Sequence, residues 1–286
     1  MKIFEAKIIT SKKIKYKSIN KQSQKPKMNT ATLEKMRKMK LFGMHRTFKT
    51  SIESGKTEDY TADEMVSSLI QSEWDDRKNR SVERQLKNAK FRYKASIEDF
   101  HFNNDRNVDR NQIMRFGECS FINKFENILI TGSTGTGKSY IASAIGHQAC
   151  GLGFKVLYWN ASKLMAKLKQ AKGDGSYIKE VAKIERQNLL ILDDFGLLPF
   201  DAQGRAMLME IVEDRHGKNS TIVISQVPVN KWYEIIGEQT IADAILDRIV
   251  HGAHRLELKG ESMRKKKLVE TEKIKSSSSP KMLVQV

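Results

Sequence analysis

Apolar residues recur along this chain in two rhythms. From Thr30 they come at threes: Leu33, Met36 and Met39 first, then, after a Gly/Lys-rich break, Val66, Leu69, Ile70 and Trp74. Both runs have the spacing of one helix face. Thr61 and Glu64 stand three apart just ahead of the second run, so hydroxyl and carboxylate can satisfy the first free N–H groups as a capping box. The stripe from Val66 to Trp74 is therefore expected to pack inward as the core of a small all-α domain. From Phe125 the rhythm changes. Five short runs, NILITG, KVLYWN, LLILDDF, STIVIS and HRLELK, read as strands, and the stretches at 138–150, 161–187 (interrupted by KGDGS), 201–216 and 240–251 read as helices. Strands alternating with helices predict a parallel sheet covered on both faces. The expected fold is thus α/β, a three-layer core preceded by a helical domain. The boundaries are a basic disordered tail over 1–29, the helical domain over 30–116, the α/β domain over 117–267 and a disordered tail over 268–286.

Composition narrows this little until charge is divided along the chain. At 286 residues, two domains are the prior. No run approaches the roughly 18 apolar residues that would span a bilayer, and the first ten residues hold no unbroken apolar segment, so a cytosolic location with no membrane partner is expected. The two cysteines, Cys119 and Cys150, lack a CxxC partner and read as buried, inert thiols. The six histidines form no ligand constellation, His251 and His254 included. The net charge of +17 is unevenly spread: +8 on residues 1–27, +4 on 28–116, zero on 117–263 and +5 on 264–286. Basic flanks around a neutral core point to a polyanionic partner, nucleic acid before an anionic membrane. The lysine-rich opening lacks helical periodicity, which makes Met28 a candidate start of translation.

The chemistry begins at residues 128–146, ILITGSTGTGKSYIASAIG, a strand, a glycine-rich turn and a helix. Gly132, Gly137, Lys138 and Ser139 satisfy G-x-x-x-x-G-K-[ST] in the context that motif requires. Backbone N–H groups of Gly132, Ser133, Thr134, Gly135, Thr136, Gly137, Lys138, Ser139 and Tyr140 line the turn and helix start, where a nucleoside triphosphate would lie. Lys138 is expected to bridge the β- and γ-phosphates, and Ser139 to ligate Mg²⁺. An acid at the end of a buried strand completes such a site, and NLLILDDFG supplies one 55 residues after Lys138. Asp193 is the expected metal partner, and Asp194 the group that orients or deprotonates an attacking water. One strand later, Ser225 or Gln226 is positioned to sense the γ-phosphate. Arg248 either pairs with Asp247 or Asp243, or projects into a neighbouring subunit's nucleotide as an arginine finger; Arg264 is a further candidate for the same phosphates. Separately, residues 77–94 hold eight bases and one acid. In a helix Arg77, Arg80, Arg84 and Lys87 share a face, with Lys78 and Lys90 beside it, a pattern for phosphate neutralisation along DNA. A second basic segment, residues 167–183, interrupts the α/β rhythm.

Taken together, GSTGTGKS, LLILDDFG, ISQVPVNKW, IADAILDRIVHGAHRLELKGESMRK and the amino-terminal LEKMRKMKLFGM resemble the IstB family of transposition helper ATPases, akin to helicase loaders of the DnaC type within the AAA+ superfamily. The resemblance covers about residues 28–267. It implies an AAA+ core without a separate helical lid, ATP and Mg²⁺ as cofactors, and a bacterial, nucleoid-associated homo-oligomer. It further implies assembly on duplex DNA, recruitment or stimulation of the transposase of the same insertion sequence, and Arg248 acting in trans. Asp194 stands where many AAA+ proteins carry Glu, which predicts slow turnover. The rival readings are a helicase loader, a small-molecule kinase, for which no mobile basic lid is evident, and a non-hydrolysing scaffold, against which the intact Lys138, Ser139, Asp193 and Asp194 argue.

Overall fold

The computed structural model describes residues 28–55, 59–100 and 108–263. Apart from residues 28 and 29, which open a helix, the expected disordered tails lie outside the described residues, as does Arg264. By internal contacts the chain divides into two compact units, one ending at Ser81 and one beginning at Val82.

The first unit is helical. A helix α1 over 28–38 is followed by α2 (Phe42–Glu53) and by α3 (Ala62–Ala89), whose 28 residues continue through the division between the units. The capping box forms: Thr61 N–H donates to Glu64 Oε2 at 2.8 Å, and Glu64 N–H donates to Thr61 Oγ1 at 3.3 Å. The apolar stripe does not pack as expected. Val66 and Ile70 are each 55% exposed and Trp74 is 68% exposed. The cause lies on the neighbouring face of α3, where buried Glu73 accepts from the N–H groups of Gly43 at 2.8 Å and Met44 at 3.3 Å. Those amides open α2 and have no partner within their own helix. Meeting them turns Glu73 toward α2, assisted by Thr47 Oγ1 donating to Ser72 Oγ at 2.8 Å and by the Arg46–Asp76 ion pair. The apolar stripe is left on the outside.

The second unit is a parallel five-stranded sheet in the order β2-β3-β4-β1-β5. Its strands are β1 (Ile128–Gly132), β2 (Val156–Asn160), β3 (Leu189–Phe195), β4 (Ser220–Ser225) and β5 (His254–Leu258). The helices are α4 (Arg110–Gly117), α5 (Ser120–Asn123), α6 (Lys138–Gly151), α7 (Ala161–Gly173), α8 (Tyr177–Glu185), α9 (Ala202–Arg215), α10 (Trp232–Ile236) and α11 (Gln239–Val250). Strand side chains alternate between two cores, as a period of two requires. Ile128, Ile130, Ile191, Ile222, Ile224 and Leu256 pack with α6 and with Ala89, Ala95, Ile97, Ile113 and Phe116. Leu129, Leu157, Leu190, Leu192 and Val223 pack beneath α7, α8, α9 and α11. Ala89, Ala95 and Ile97, ahead of α4, bury their apolar groups in the core against the sheet. Cys119 and Cys150 are buried, and burial pushes both thiols up to about 12. No described helix is long and apolar enough to cross a membrane.

Candidate nucleotide site

The strand order places the C-terminal ends of β1, β3 and β4 side by side, and polar groups gather there. The loop leaving β1 turns through Gly132 (φ 142°) and Gly135 (φ 83°). Any side chain would collide at either: a Cβ would lie 2.2 Å from Leu258 O at Gly132, and 2.1 Å from Ser262 Oγ at Gly135. The segment after β5 thus leans on this loop, and Met263 N–H donates to Gly135 O at 2.9 Å. Gly137 precedes the first turn of α6, whose free N–H groups give it an anion-attracting end. Lys138 Nζ lies over the loop, donating to Gly132 O at 2.6 Å and Ser133 O at 2.7 Å. Thr136 Oγ1 donates to Ser133 O at 2.9 Å and closes the turn.

Across from Lys138, Ser139 Oγ donates to Asp193 Oδ1 at 3.1 Å. Asp193 is buried, and its carboxylate is fully engaged: Oδ1 also accepts the Asp194 N–H at 2.9 Å, while Oδ2 accepts from the Tyr158 hydroxyl and from Arg92 Nη1, the latter at 3.4 Å. Burial, then the bond to Asp193, pushes the Tyr158 phenol upward, so it remains a donor. Between Leu192 and Phe195 the β3–β4 register slips, and Asp194 takes φ 56°. A left-handed aspartate costs about 1 kcal/mol, and the turn frees its carboxylate from the strand. Asp194 Oδ2 then accepts from Asn160 Nδ2 at 2.9 Å and Arg92 Nη1 at 3.5 Å. Asn160 itself is fixed, because its Oδ1 caps α7 by accepting Lys163 N–H at 3.1 Å.

The residues expected at the phosphate and metal positions, 132–140, Asp193 and Asp194, therefore converge. The two sensor candidates separate. Ser225 is fully buried, its Oγ donating to Phe195 O at 2.7 Å and accepting Val227 N–H at 3.0 Å. Gln226 is exposed one residue beyond the Thr131–Ser225 register pair, level with Gly132. Arg248 pairs with neither Asp247 nor Asp243. Its Nη2 lies 2.7 Å from Glu213 Oε2 on α9, and its Nη1 donates to Ala244 O at 3.0 Å. Its own carbonyl accepts from Asn127, the residue before β1, at 3.2 Å. Arg248 therefore stands at the opposite end of the sheet from its own phosphate loop, about one strand length or ~16 Å away.

On α3, Arg77 Nε is 2.7 Å from Glu73 Oε1 and Arg80 Nε is 2.6 Å from Asp76 Oδ2, and these two arginines are exposed, as are Lys78, Arg84 and Lys87. Lys90 Nζ lies 5.7 Å from the centre of the Trp159 ring. Arg264 lies outside the described residues. Sequence reasoning missed Tyr158, Asn160 and Arg92 at the acidic pair. The first two carried a partial signal, polar residues closing a strand run, but only the fold puts that strand beside β3, with Tyr158 opposite Ile191 and Asn160 opposite Asp193. Arg92 had none, since it was one base in a basic run.

A glycine loop leading into a helix N-terminus, a serine paired to a strand-end aspartate and this sheet order define a P-loop nucleotide-binding protein of AAA+ fold. The likeness extends to the solved helicase loader DnaC, with a TM-score of 0.51 at 19% identity over 58% of this chain and 98% of that one. Residues 32–271 match the family described as IstB-like ATP binding protein, and the chain belongs to that family. Among relatives, it is 43% identical to the putative insertion sequence ATP-binding protein y4pL of Sinorhizobium fredii, over 82% of this chain and 96% of that protein. The insertion sequence IS21 putative ATP-binding protein of Pseudomonas aeruginosa is 31% identical over 71% of this chain and 77% of its own length.

Proposed function

We propose that this protein is an ATPase that assembles as a homo-oligomer on duplex DNA and recruits or stimulates the transposase encoded by its insertion sequence. The reading is carried by the Ser139–Asp193 pair, 3.1 Å apart beside the glycine loop, and is supported by relatives named for insertion sequences and ATP binding.

In this reading the backbone N–H groups of residues 133–139 hold the phosphates, and Lys138 exchanges its two carbonyl partners for phosphate oxygens. Ser139 and Asp193 are the residues that would hold Mg²⁺, which when bound supplies charge neutralisation at the transferred phosphoryl group. Asp194, kept in place by Asn160, accepts a proton from the attacking water, and Gln226 orients that water. Asp194 is one methylene shorter than glutamate, so slow turnover is expected.

Arg248 stands too far from its own loop to act there, which supports action on a neighbour's nucleotide; to do so it must leave Glu213. Lys78, Arg84 and Lys87 on α3, with the basic stretch at 167–183, supply cations for DNA phosphates, and the soluble oligomer works at the bacterial nucleoid. ATP binding then closes subunit contacts along DNA, and hydrolysis loosens them.

The test measures ATP turnover with and without duplex DNA across a salt series, together with a mixing experiment. Lys138→Ala and Arg248→Ala are each expected to be inactive alone, and an equal mixture to recover about a quarter of wild-type turnover, because only one interface in four then joins an intact loop to an intact arginine. Duplex DNA leaving the rate unchanged, with Arg248→Ala turning over normally, would overturn the reading. Stimulation by single strands in preference to duplex would point to a helicase loader instead.

A further inference from the structure

Arg92 sits within a basic run, yet its guanidinium points at acids. Its Nη1 lies 3.4 Å from Asp193 Oδ2 and 3.5 Å from Asp194 Oδ2, and no other guanidinium among the described residues forms an ion pair with either. The two contacts reach across one strand end and touch carboxylates that the proposed chemistry uses differently.

The placement is built from both sides. Phe91, one residue before, stands edge-on to His147 with ring centres 4.3 Å apart and to Tyr158 at 6.3 Å. It fills the space above Gly146, where a Cβ would come within 2.4 Å of the ring. Ala95, three residues after, meets His147 Nδ1 through its N–H at 3.1 Å or its carbonyl at 2.6 Å, according to the ring tautomer. The backbone is thus held on each side of Arg92, and the guanidinium also lies 5.6 Å from the centre of the Tyr93 ring. Its side chain is 45% exposed, so solvent screens the attraction and little folding stability comes from it. With so little stability at stake, the consequence of this placement lies in what the cation does to the acids.

We propose that Arg92 is a positioning residue of the hydrolytic site, holding Asp193 Oδ1 toward Ser139 and Asp194 toward Asn160 while offsetting one of their two negative charges. This rests on the assignment of Asp193 and Asp194 to metal binding and water activation. Two consequences diverge in sign. Without Arg92 the acidic pair carries its full charge and attracts a divalent cation more strongly, while Asp194 loses a partner and turnover falls. A merely structural arginine would not move these two quantities in opposite directions.

The experiment uses the full chain with a non-hydrolysable ATP analogue and follows Mn²⁺ binding by electron paramagnetic resonance, alongside steady-state ATP turnover. Arg92→Ala is expected to bind Mn²⁺ about fivefold more tightly, since removing a unit charge beside the ligand strengthens its field. Its kcat is expected to fall about tenfold with KM for ATP within about twofold of wild type. Arg92→Lys is expected to restore Mn²⁺ affinity, which answers to charge, but not kcat, because a single ammonium does not reproduce the guanidinium's several fixed donors. Wild-type values of both quantities in Arg92→Ala would overturn the proposal, as would a loss confined to duplex binding, which would return Arg92 to the DNA-facing set. Asp193→Asn is the separate control: if it bound Mn²⁺ as wild type does, the assignment of the acids would fail first, and the Arg92 role with it.

Discussion

Replacing Ser225 by alanine separates the two readings of the strand end that the sequence left open. The Oγ donates to Phe195 O at 2.7 Å and accepts Val227 N–H at 3.0 Å, inside a fully buried site. Alanine keeps the volume of the methylene and removes both bonds. Each bond contributes about 1 kcal/mol net, and a buried carbonyl left without its donor costs about 1 kcal/mol more, so the expected loss is about 2–3 kcal/mol. For a unit of this size that corresponds to a fall in Tm of about 5–10 °C. Thermal unfolding followed by circular dichroism measures it directly, and nucleotide affinity, read from a fluorescent ATP analogue, should change by less than about twofold because the hydroxyl is turned away from the loop. Turnover should fall only as far as Asp194, one residue before Phe195, loosens. Gln226→Ala is expected to behave the other way, with unchanged Tm and turnover reduced about tenfold or more. An unaltered Tm in Ser225→Ala accompanied by abolished hydrolysis would refute this reasoning and give the sensor role to the serine.

Three further outcomes are expected. Burial works against ionised Glu73, but the bonds from Arg77 and from the Met44 and Gly43 N–H groups outweigh it and hold its carboxyl below the ordinary value of 4.5. A depressed folded-state value means the contribution is present above about pH 4.5 and is lost as pH falls through the folded value. Protection of the Gly43 and Met44 amides, relative to their intrinsic exchange rates at each pH, should therefore fall in the wild type as pH drops through the folded value and be low at every pH in Glu73→Ala. Arg84→Ala and Lys87→Ala should each weaken duplex binding across sequences and reduce the slope of log affinity against log salt by about 1, whereas Arg77→Ala, already paired with Glu73, should change it less. Gly135→Ala should lower nucleotide affinity at least about tenfold, since its φ of 83° strains any side chain and its Cβ meets Ser262; isothermal titration should show only part of this restored by Ser262→Gly.

The features legible in the sequence share one property: their signal is local. All five strands fall within the short runs read between helical stretches, and the phosphate loop is written in consecutive residues whose glycines have positions to fill. Asp193 was legible because an acid at the end of a buried strand gains meaning once a phosphate loop stands 55 residues before it. The bulge that separates Asp193 from Asp194 was not, since a register slip against β4 appears in neither strand alone.

What stayed hidden is pairing between distant elements, and the α3 stripe shows how that changes a prediction. Val66, Ile70 and Trp74 have the periodicity of a core face, and that rule assumes the apolar face decides which side is buried. Here Glu73, one helix position away, meets two amides that α2 cannot satisfy within itself. Leaving buried donors unpaired costs about 1–3 kcal/mol each, comparable with the gain from burying one large apolar side chain, so the polar demand of a neighbouring helix end sets which way α3 faces. The same reasoning accounts for Arg92 and Arg248. Arg92 reads as one base in a basic run and Arg248 as a partner of Asp243 or Asp247 or a finger, but the fold gives the first to two acids at the phosphate end of the sheet and the second to Glu213 at the other end. Charge composition counts cations; the placement of acids that cap, bridge and hold them decides which remain for a polyanion.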